Sequence, residues 1–248
     1  MLEDDFNDCL GKAIRGHGCT IAQLALLVGI NEGRITACLN GKEDAAVIHM
    51  LAPHLQLDAD KLLSLKQYNP AIHCTPGLTR IVSPFGHIGV NAYIVRGASS
   101  TLIFDTGTDS SELHELAPDP SHLFITHKHP DHTAGVTEFV HCKKSFPEEL
   151  KHGENIKFDG LEIKILDVSG HYNPARAYSI QGLEKPICIV GDSIFAGSIG
   201  KCMSPESYSA ALANIRDHLL QLPDDTILCP GHGPLTTVAQ EKANNPFF

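Results

Sequence analysis

The feature that most constrains this chain is a group of metal-binding side chains placed directly after a buried strand. Residues 121–126 alternate like a buried strand, and His-Lys-His-Pro-Asp-His follows at residues 127–132. Pro130 suits the first turn of a helix, so the side chains after it would project back toward the two histidines at the strand end. We expect one site that can serve two metal ions. Its candidate ligands are His127, His129, Asp131 and His132.

Three further candidate ligands follow later strand-like segments. They are His171, Asp192 and His232. Histidine is the commonest metal ligand in proteins, and the chain contains 15 histidines and no tryptophan. Each of these residues alone is weak evidence for a metal site. Together with the loop at residues 127–132, they predict a metal site along one edge of a sheet.

These motifs, with the glycines that flank the later ligands in Gly170-His171, Gly191-Asp192 and Gly231-His232-Gly233, resemble those of the metallo-beta-lactamase fold superfamily of hydrolases. The resemblance covers residues 76–248. It implies an α/β fold, a four-layer αββα sandwich with a dinuclear metal site where the two sheets meet. Within the superfamily, residues 195–200 and 236–247 are similar to the single-domain type of glyoxalase II, a hydroxyacylglutathione hydrolase.

The same resemblance implies how the ligands divide between two divalent ions. It gives His127, His129 and His171 to the first ion, Asp131, His132 and His232 to the second, and a bridging position to Asp192. Five imidazoles and two carboxylates form a borderline-soft donor set, so zinc is the expected metal, with iron and manganese left open. Asp105, at the end of an earlier strand-like run, would support the site from outside the ligand set.

This ligand set predicts a hydrolase. A water shared between two cations loses a proton near neutral pH and can attack a carbonyl carbon, so no serine or cysteine nucleophile is needed. Asp131 and Asp192 would orient the hydroxide and are the expected catalytic residues. A thiolate leaving group needs little help from a general acid. We therefore expect cleavage of a small thioester or ester.

Two departures from the family pattern point to the substrate pocket. After His171 the family usually continues Thr-Pro-Gly, whereas this chain has Tyr-Asn-Pro-Ala-Arg at residues 172–176. After Gly200 the family usually carries Arg-Thr-Asp, whereas this chain has Lys-Cys-Met at residues 201–203. We expect Tyr172, Arg176 and Lys201 to contact substrate, with Arg176 suited to a carboxylate or phosphate. The C-terminal helical domain that binds glutathione in two-domain glyoxalase II is not expected here. Recognition would then come from loops or from the N-terminal helices.

The first part of the chain is predicted to be helical. We divide the chain into a helical domain at residues 1–67, a linker at 68–75 and a hydrolase domain at 76–248. Helix-capping signals stand at four positions, Thr20, Asn31, Asp44 and Asp58.

Residues 20–41 resemble the helix-turn-helix of lambda-repressor-like regulators, which makes Arg34 and Lys42 candidate DNA contacts. Residues 1–67 nevertheless carry six Lys/Arg against nine Asp/Glu, which disfavours DNA as a partner. The alternative role is a helical module that forms a homodimer or flanks the active site.

Two other functions stay open at this point. A persulfide dioxygenase would use the same fold with one iron held by two histidines and an aspartate. A DNA-binding regulator would use the hydrolase-fold domain to sense a metal or metabolite while residues 1–67 bind an operator.

Charge, apolar runs and cysteine spacing indicate the cellular compartment and the partners to expect. The formal charge is −10, which argues against a chain that coats nucleic acid or anionic membrane. No apolar run approaches the roughly 20 residues of a membrane span, and the chain starts with an acidic segment rather than a basic secretory signal. The eight cysteines are scattered and form no C-x-x-C pair. We expect a cytoplasmic protein with reduced thiols and no membrane partner.

Overall fold

The computed structural model describes residues 1–86 and 88–248. The helices are α1 Phe6–Gly16, α2 Ile21–Val28, α3 Glu32–Leu39, α4 Ala45–Leu51, α5 Ala59–Ser64, α6 Ser111–Leu116, α7 Pro130–Thr133, α8 Pro205–Asn214 and α9 Val238–Asn244. The strands are β1 Leu78–Phe85, β2 Ile88–Arg96, β3 Thr101–Phe104, β4 His122–Phe124, β5 Lys143–Ser145, β6 Asn155–Phe158, β7 Leu161–Asp167, β8 Arg176–Gln181, β9 Ile187–Gly191, β10 Ile194–Phe195, β11 Ser198–Ile199, β12 Ile227–Pro230 and β13 Thr236–Thr237.

The strands form two mixed sheets and a short ribbon. The first sheet has the order β1-β2-β3-β4-β5, and β3, β4 and β5 run parallel. The second has the order β13-β12-β9-β8-β7-β6, with β12 and β9 parallel. Strands β10 and β11 pair with each other as the ribbon.

Among the described residues, three apolar clusters pack the helical layers and the two sheets against one another. The central cluster joins inward-facing side chains of both sheets, including Tyr93 and Phe104 from the first and Tyr178 and Ile189 from the second. A second cluster packs α6, through Leu113, on the outer face of the first sheet. A third covers the outer face of the second sheet with α8, α9 and the N-terminal helices. The predicted four-layer αββα sandwich, preceded by a helical region, is confirmed.

The predicted helix caps in the first part of the chain are confirmed. Thr20 accepts a hydrogen bond from the Gln23 amide, and Asn31, Asp44 and Asp58 cap the helices that follow them. The left-handed backbone at Gly29, with φ +69°, ends α2. The arrangement of residues 20–41 as a DNA-binding helix-turn-helix stays a prediction.

Helix α1 was not predicted individually from the sequence, yet it joins the N-terminal helices to the hydrolase fold. A Cβ added at Gly16 would lie 2.3 Å from the ring of Tyr208 in α8, so the two helices touch closely. Cys9 Sγ lies 3.5 Å from Ser198 Oγ in the ribbon. The predicted linker, residues 68–75, is fully described and contains no helix or strand. The division into separate domains at this linker stays a prediction.

All eight cysteines are free thiols. Among the described residues, no helix has both the length and the apolar character needed to cross a membrane.

Candidate metal centre

The loop after β4 places its ligand candidates as the sequence predicted. Pro130 occupies the first turn of α7, and His129 precedes it in extended conformation. Asp131 and His132 therefore start a helix whose first turn faces the end of the preceding strand. His127 and His132 are buried.

One group of side chains gathers around His129. His129 Nδ1 lies 3.1 Å from His127 Nε2 and 3.1 Å from His171 Nε2. Asp192 Oδ2 lies 3.5 Å from His171 Nε2 and 3.8 Å from His127 Nε2. Four possible ligand atoms thus lie within 4.8 Å of one another.

A second group adjoins the first. Asp131 Oδ2 lies 3.2 Å from His232 Nε2 and 3.7 Å from His132 Nε2, and all three residues offer atoms within 4.8 Å of one another. Asp192 touches this group too, because its Oδ1 lies 3.3 Å from His132 Nε2 and its Oδ2 lies 3.5 Å from His232 Nε2. The structure therefore brings all seven predicted ligands together, with Asp192 between the two groups.

The donor atoms fit divalent cations. Nε2 of His132 and Oδ1 of Asp192 are buried and have no hydrogen-bond partner among the described residues. An unpartnered buried polar atom is costly, whereas a bound cation would satisfy both atoms. Imidazole nitrogens and carboxylate oxygens are also the ligands that zinc and similar ions take.

Electrostatics within the cluster shift several pKa values. Burial would raise the pKa of Asp192, but the neighbouring histidines, His132 foremost, hold it well below the usual range. Burial would lower the pKa of His132, but the carboxylates of Asp192 and Asp105 raise it well above its ordinary value. Burial would also lower the pKa of His232, but the carboxylates of Asp131 and Asp192 raise it to about 10. At His127 burial prevails and holds the pKa well below the ordinary value. The low pKa of Asp192 keeps its carboxylate ionised, which is the form that binds a cation.

Hydrogen bonds outside the ligand atoms fix the imidazole rings. His132 Nδ1 lies 2.9 Å from Asp105 Oδ2, His171 Nδ1 lies 2.7 Å from the Lys201 carbonyl, and His232 Nδ1 lies 2.9 Å from the Gly89 carbonyl. Each contact leaves Nε2 facing the cluster. The contact predicted for Asp105 is thus present, and such partners orient metal-binding histidines.

Sequence reasoning missed Thr126 and Tyr93 as supporting residues. Thr126 donates its hydroxyl to Asp105 Oδ2 at 2.7 Å and its Oγ1 lies 3.0 Å from His127 Nδ1. Tyr93 donates its hydroxyl to the Pro230 carbonyl at 2.6 Å, and Asn91 Nδ2 donates to the same carbonyl at 2.8 Å. A polar Asn91 and a Tyr93 hydroxyl in an otherwise apolar strand were the available signals.

Residue 231 must be glycine because its backbone lies very close to Asp192 and His132. A Cβ at this position would lie 2.1 Å from Asp192 Oδ1 and 2.6 Å from His132 Cε1. The loop that carries His232 can therefore lie against the centre only without a side chain at residue 231.

The predicted substrate residues occupy different settings. The Tyr172 ring centroid lies 4.9 Å from that of His129, so Tyr172 borders the centre. Lys201 is exposed and its carbonyl contacts His171. Arg176 is engaged elsewhere: its Nε donates to the Leu150 carbonyl at 2.9 Å. Contact of the three with substrate stays a prediction.

The two candidate DNA contacts also differ. Arg34 Nη2 donates to Asp44 Oδ2 at 2.6 Å, so its charge is already balanced within the helical region. Lys42 is exposed. DNA binding through either residue stays a prediction.

Comparison with known proteins decides the family. Residues 86–142 match the metallo-beta-lactamase superfamily, and this segment contains the loop 127–132. The hydroxyacylglutathione hydrolase GloC of Haemophilus influenzae is 41% identical over 187 residues, covering 60% of this chain and 87% of that relative. The chain belongs to the metallo-beta-lactamase superfamily.

Other relatives of this metallo-beta-lactamase superfamily protein agree on the fold. The probable metallo-hydrolase YqgX of Bacillus subtilis is 27% identical, covering 66% of this chain and 95% of the relative. The crystal structure of the BLEG-1 B3 metallo-beta-lactamase superposes with a TM-score of 0.57 at 25% identity, covering 68% of this chain and 98% of that one. The chain thus belongs to a metallo-hydrolase superfamily whose members bind divalent metals, and it carries a His/Asp cluster that could hold such ions.

Proposed function

We propose that this protein is a dinuclear metal-dependent hydrolase that cleaves a small thioester or ester, in the manner of glyoxalase II. The observation that carries the proposal is Asp192, whose two carboxylate oxygens face both ligand groups. One carboxylate shared by two adjoining groups suits a pair of ions with a common bridging ligand. The relative GloC, which is named a hydroxyacylglutathione hydrolase, supports the thioester assignment.

The ligand sets follow from the two groups of atoms. One ion would be held by His127, His129 and His171. The other ion would be held by Asp131, His132 and His232. Asp192 would be a ligand of both ions. We propose zinc as the metal on the basis of the donor set, since imidazoles outnumber carboxylates and no thiolate or thioether takes part.

Divalent ions held there would make a water acidic enough to act as hydroxide near neutral pH and would polarise the carbonyl of the substrate. The chain itself would supply the orientation. Asp192 presents carboxylate oxygens toward both groups and Asp131 presents one toward the second group, where they can accept a proton from water. Tyr172 would form a wall of the pocket beside His129.

Two described side chains close to the centre, Ser193 and Cys202, are poorly placed to act as nucleophiles. Ser193, next to Asp192, donates its hydroxyl to the Val190 carbonyl at 2.8 Å. Burial raises the pKa of the Cys202 thiol to about 11, which disfavours the reactive thiolate. Direct attack by water, without a covalent enzyme intermediate, is therefore the favoured route.

The test combines metal content with turnover. Protein purified without a histidine tag or chelator should contain about two divalent ions per chain by elemental analysis, and should hydrolyse a hydroxyacyl thioester of glutathione. A single iron, with oxygen consumption on a glutathione persulfide, would overturn the proposal in favour of dioxygenase chemistry. Two bound ions without turnover on any thioester or ester in a substrate panel would overturn the substrate assignment alone.

A further inference from the structure

The residues before α1 lie against the loop that carries His232. A Cβ added at Gly233, the next residue after His232, would lie 3.4 Å from the backbone nitrogen of Glu3 and 3.5 Å from its Cβ. These are ordinary van der Waals distances, so Glu3 and Gly233 are direct neighbours. Glu3 therefore lies beside a proposed ligand of the second ion, although nearly the whole chain separates the two in sequence.

Two contacts hold this segment in place on either side of Glu3. Leu2 packs against the apolar cluster that also contains the buried faces of the N-terminal helices. Asp4 pairs with Lys12 of α1, and these two side chains are only 10% and 12% exposed. Breaking a buried ion pair is strongly destabilising, because it leaves one buried charge without a partner. The position of Glu3 is thus fixed by its neighbours in the chain.

Lys12 also ties the segment to the metal centre. Its Nζ donates to the Ile199 carbonyl in the ribbon at 2.8 Å and lies 5.2 Å from the centroid of the Phe195 ring. The centroid of the Phe195 ring lies 5.9 Å from that of His232. Lys12, Phe195 and His232 therefore form a continuous series of contacts. The ion pair with Asp4 fixes the segment relative to the metal site itself.

The carboxyl group of Glu3 lies within electrostatic reach of the metal centre. Glu3 is half-buried. Burial raises the pKa of its carboxyl group to about 7, His232 opposes that rise, and Asp192 adds to it. Asp4 is already paired with Lys12, whereas Glu3 forms no ion pair with any other described residue. Glu3 therefore supplies a charge that a bound molecule would meet at this side of the centre.

We propose that Glu3 is a specificity-determining residue that contacts the acyl group of the substrate and disfavours an acyl group that carries a carboxylate. The inference rests on the proposed thioester hydrolysis and deepens it by assigning the class of acyl group. The acyl group is bonded to the carbonyl carbon that is attacked at the centre, so a side chain beside His232 is within its reach. The Glu3 carboxylate repels a second carboxylate in this position but accepts a hydrogen bond from a hydroxyl group.

The experiment compares two thioesters that share glutathione as the thiol and differ in the acyl group. One acyl group is lactoyl, which carries a hydroxyl, and the other is malonyl, which has a similar size but carries a carboxylate. At about pH 8.5 the carboxyl group of Glu3 is ionised. For Glu3→Gln in the metal-loaded protein, we expect kcat/KM for the malonyl ester to rise about tenfold, while the value for the lactoyl ester stays within about twofold.

Two further variants separate charge from packing. Glu184→Gln is the matched control, since Glu184 is exposed between β8 and β9, at the opposite end of β9 from Asp192. Glu3→Asp keeps the charge, so its preference between the esters should stay within about threefold of the wild type. An unchanged preference in Glu3→Gln, or equal changes for both esters, would overturn the proposal. So would a loss of preference in Glu3→Asp as large as that in Glu3→Gln.

A binding measurement separates failure of this inference from failure of the proposed function. Calorimetry would compare lactate and malonate, the two product acids, on the metal-loaded protein without any turnover. If neither ester is hydrolysed but Glu3→Gln binds malonate at least about tenfold more tightly with unchanged lactate affinity, the role of Glu3 stands while the reaction does not. If neither ester is hydrolysed and the substitution changes the binding of neither acid, the role of Glu3 is overturned.

Discussion

Asp105 Oδ2 lies 2.9 Å from His132 Nδ1, and both residues are buried. Asp105 has a left-handed backbone with φ +58°, an unfavourable conformation for a residue other than glycine. Its other carboxylate oxygen accepts the Thr126 amide at 2.8 Å. The strand end is thus shaped around a carboxylate whose partner is a proposed metal ligand.

We predict that Asp105→Asn weakens metal binding, because an amide in place of the carboxylate loses the charge that orients and polarises His132. The metal dissociation constant should rise about 10- to 100-fold in a chelator competition assay. Asp119→Asn, at an exposed position, serves as the control. Equal metal affinity in the two variants would contradict the supporting role.

His129→Ala should remove turnover while leaving the fold intact. His129 Nδ1 is the atom closest to both His127 and His171, so its loss opens one complete ligand group. We expect the rate to fall by more than about a hundredfold and one ion per chain to be lost. Circular dichroism verifies the fold, and His141→Ala, at an exposed histidine, is the control. Wild-type turnover in His129→Ala would refute the assignment.

Gly231→Ala should displace the shared carboxylate. The new methyl group would lie 2.1 Å from Asp192 Oδ1, so either that carboxylate or the loop carrying His232 must move. We expect loss of turnover by at least about tenfold, since misplacing a catalytic group by an ångström has effects of this order. Unchanged kinetics together with unchanged metal content would show that the loop can relax without harm.

Stability should depend on pH through His122. Burial, aided by Lys143, lowers the pKa of His122 to about 4 from an ordinary value near 6.5. The folded state therefore keeps this ring neutral while the unfolded chain protonates it, so the stabilising contribution is complete above pH 6.5 and declines as the pH falls toward 4.

The measurement is urea unfolding at several pH values. His122→Gln can keep a hydrogen bond to Ser145 without titrating, so its free energy of unfolding should fall less steeply than that of the wild type between pH 6.5 and 4, by on the order of 2 kcal/mol. Parallel curves for the two proteins would exclude His122 as a source of acid sensitivity.

Glu241 should be important for stability rather than for chemistry. Its buried carboxylate accepts hydrogen bonds from Tyr68 Oη at 2.7 Å, Asn245 Nδ2 at 2.8 Å and the Gly197 amide at 2.9 Å. Glu241→Ala leaves these donors unsatisfied, so we expect a loss of about 3 kcal/mol in the free energy of unfolding. Glu162→Ala, at an exposed position of β7, should change it by less than about 0.5 kcal/mol.

The ligand candidates could be predicted because they are encoded locally. A buried strand followed by His-x-His-x-Asp-His places several donors in one loop whatever the rest of the chain does, and the later candidates each follow their own strand-like segment. The helix caps at Thr20 and Asn31 were predictable for the same reason, since a cap bonds to a backbone amide two or three residues away.

Other features depend on contacts between residues far apart in sequence. The residues around Arg176 in the sequence do not predict that the Leu150 carbonyl accepts its hydrogen bond. Those around Tyr93 likewise do not predict its hydrogen bond to the Pro230 carbonyl. Helix α1 is the clearest case, because its position beside the metal centre follows from packing on Tyr208 and from the bond between Lys12 and Ile199.

The sequence by itself therefore determined the fold class, the set of candidate metal ligands and the capped N-terminal helices. Only the tertiary structure decided that Asp192 faces both ligand groups and that Glu3 lies beside the loop carrying His232. The physical reason is that periodicity, capping and motif spacing act over a few residues, whereas the direction of a side chain is set by the packing of elements that meet only in the folded molecule.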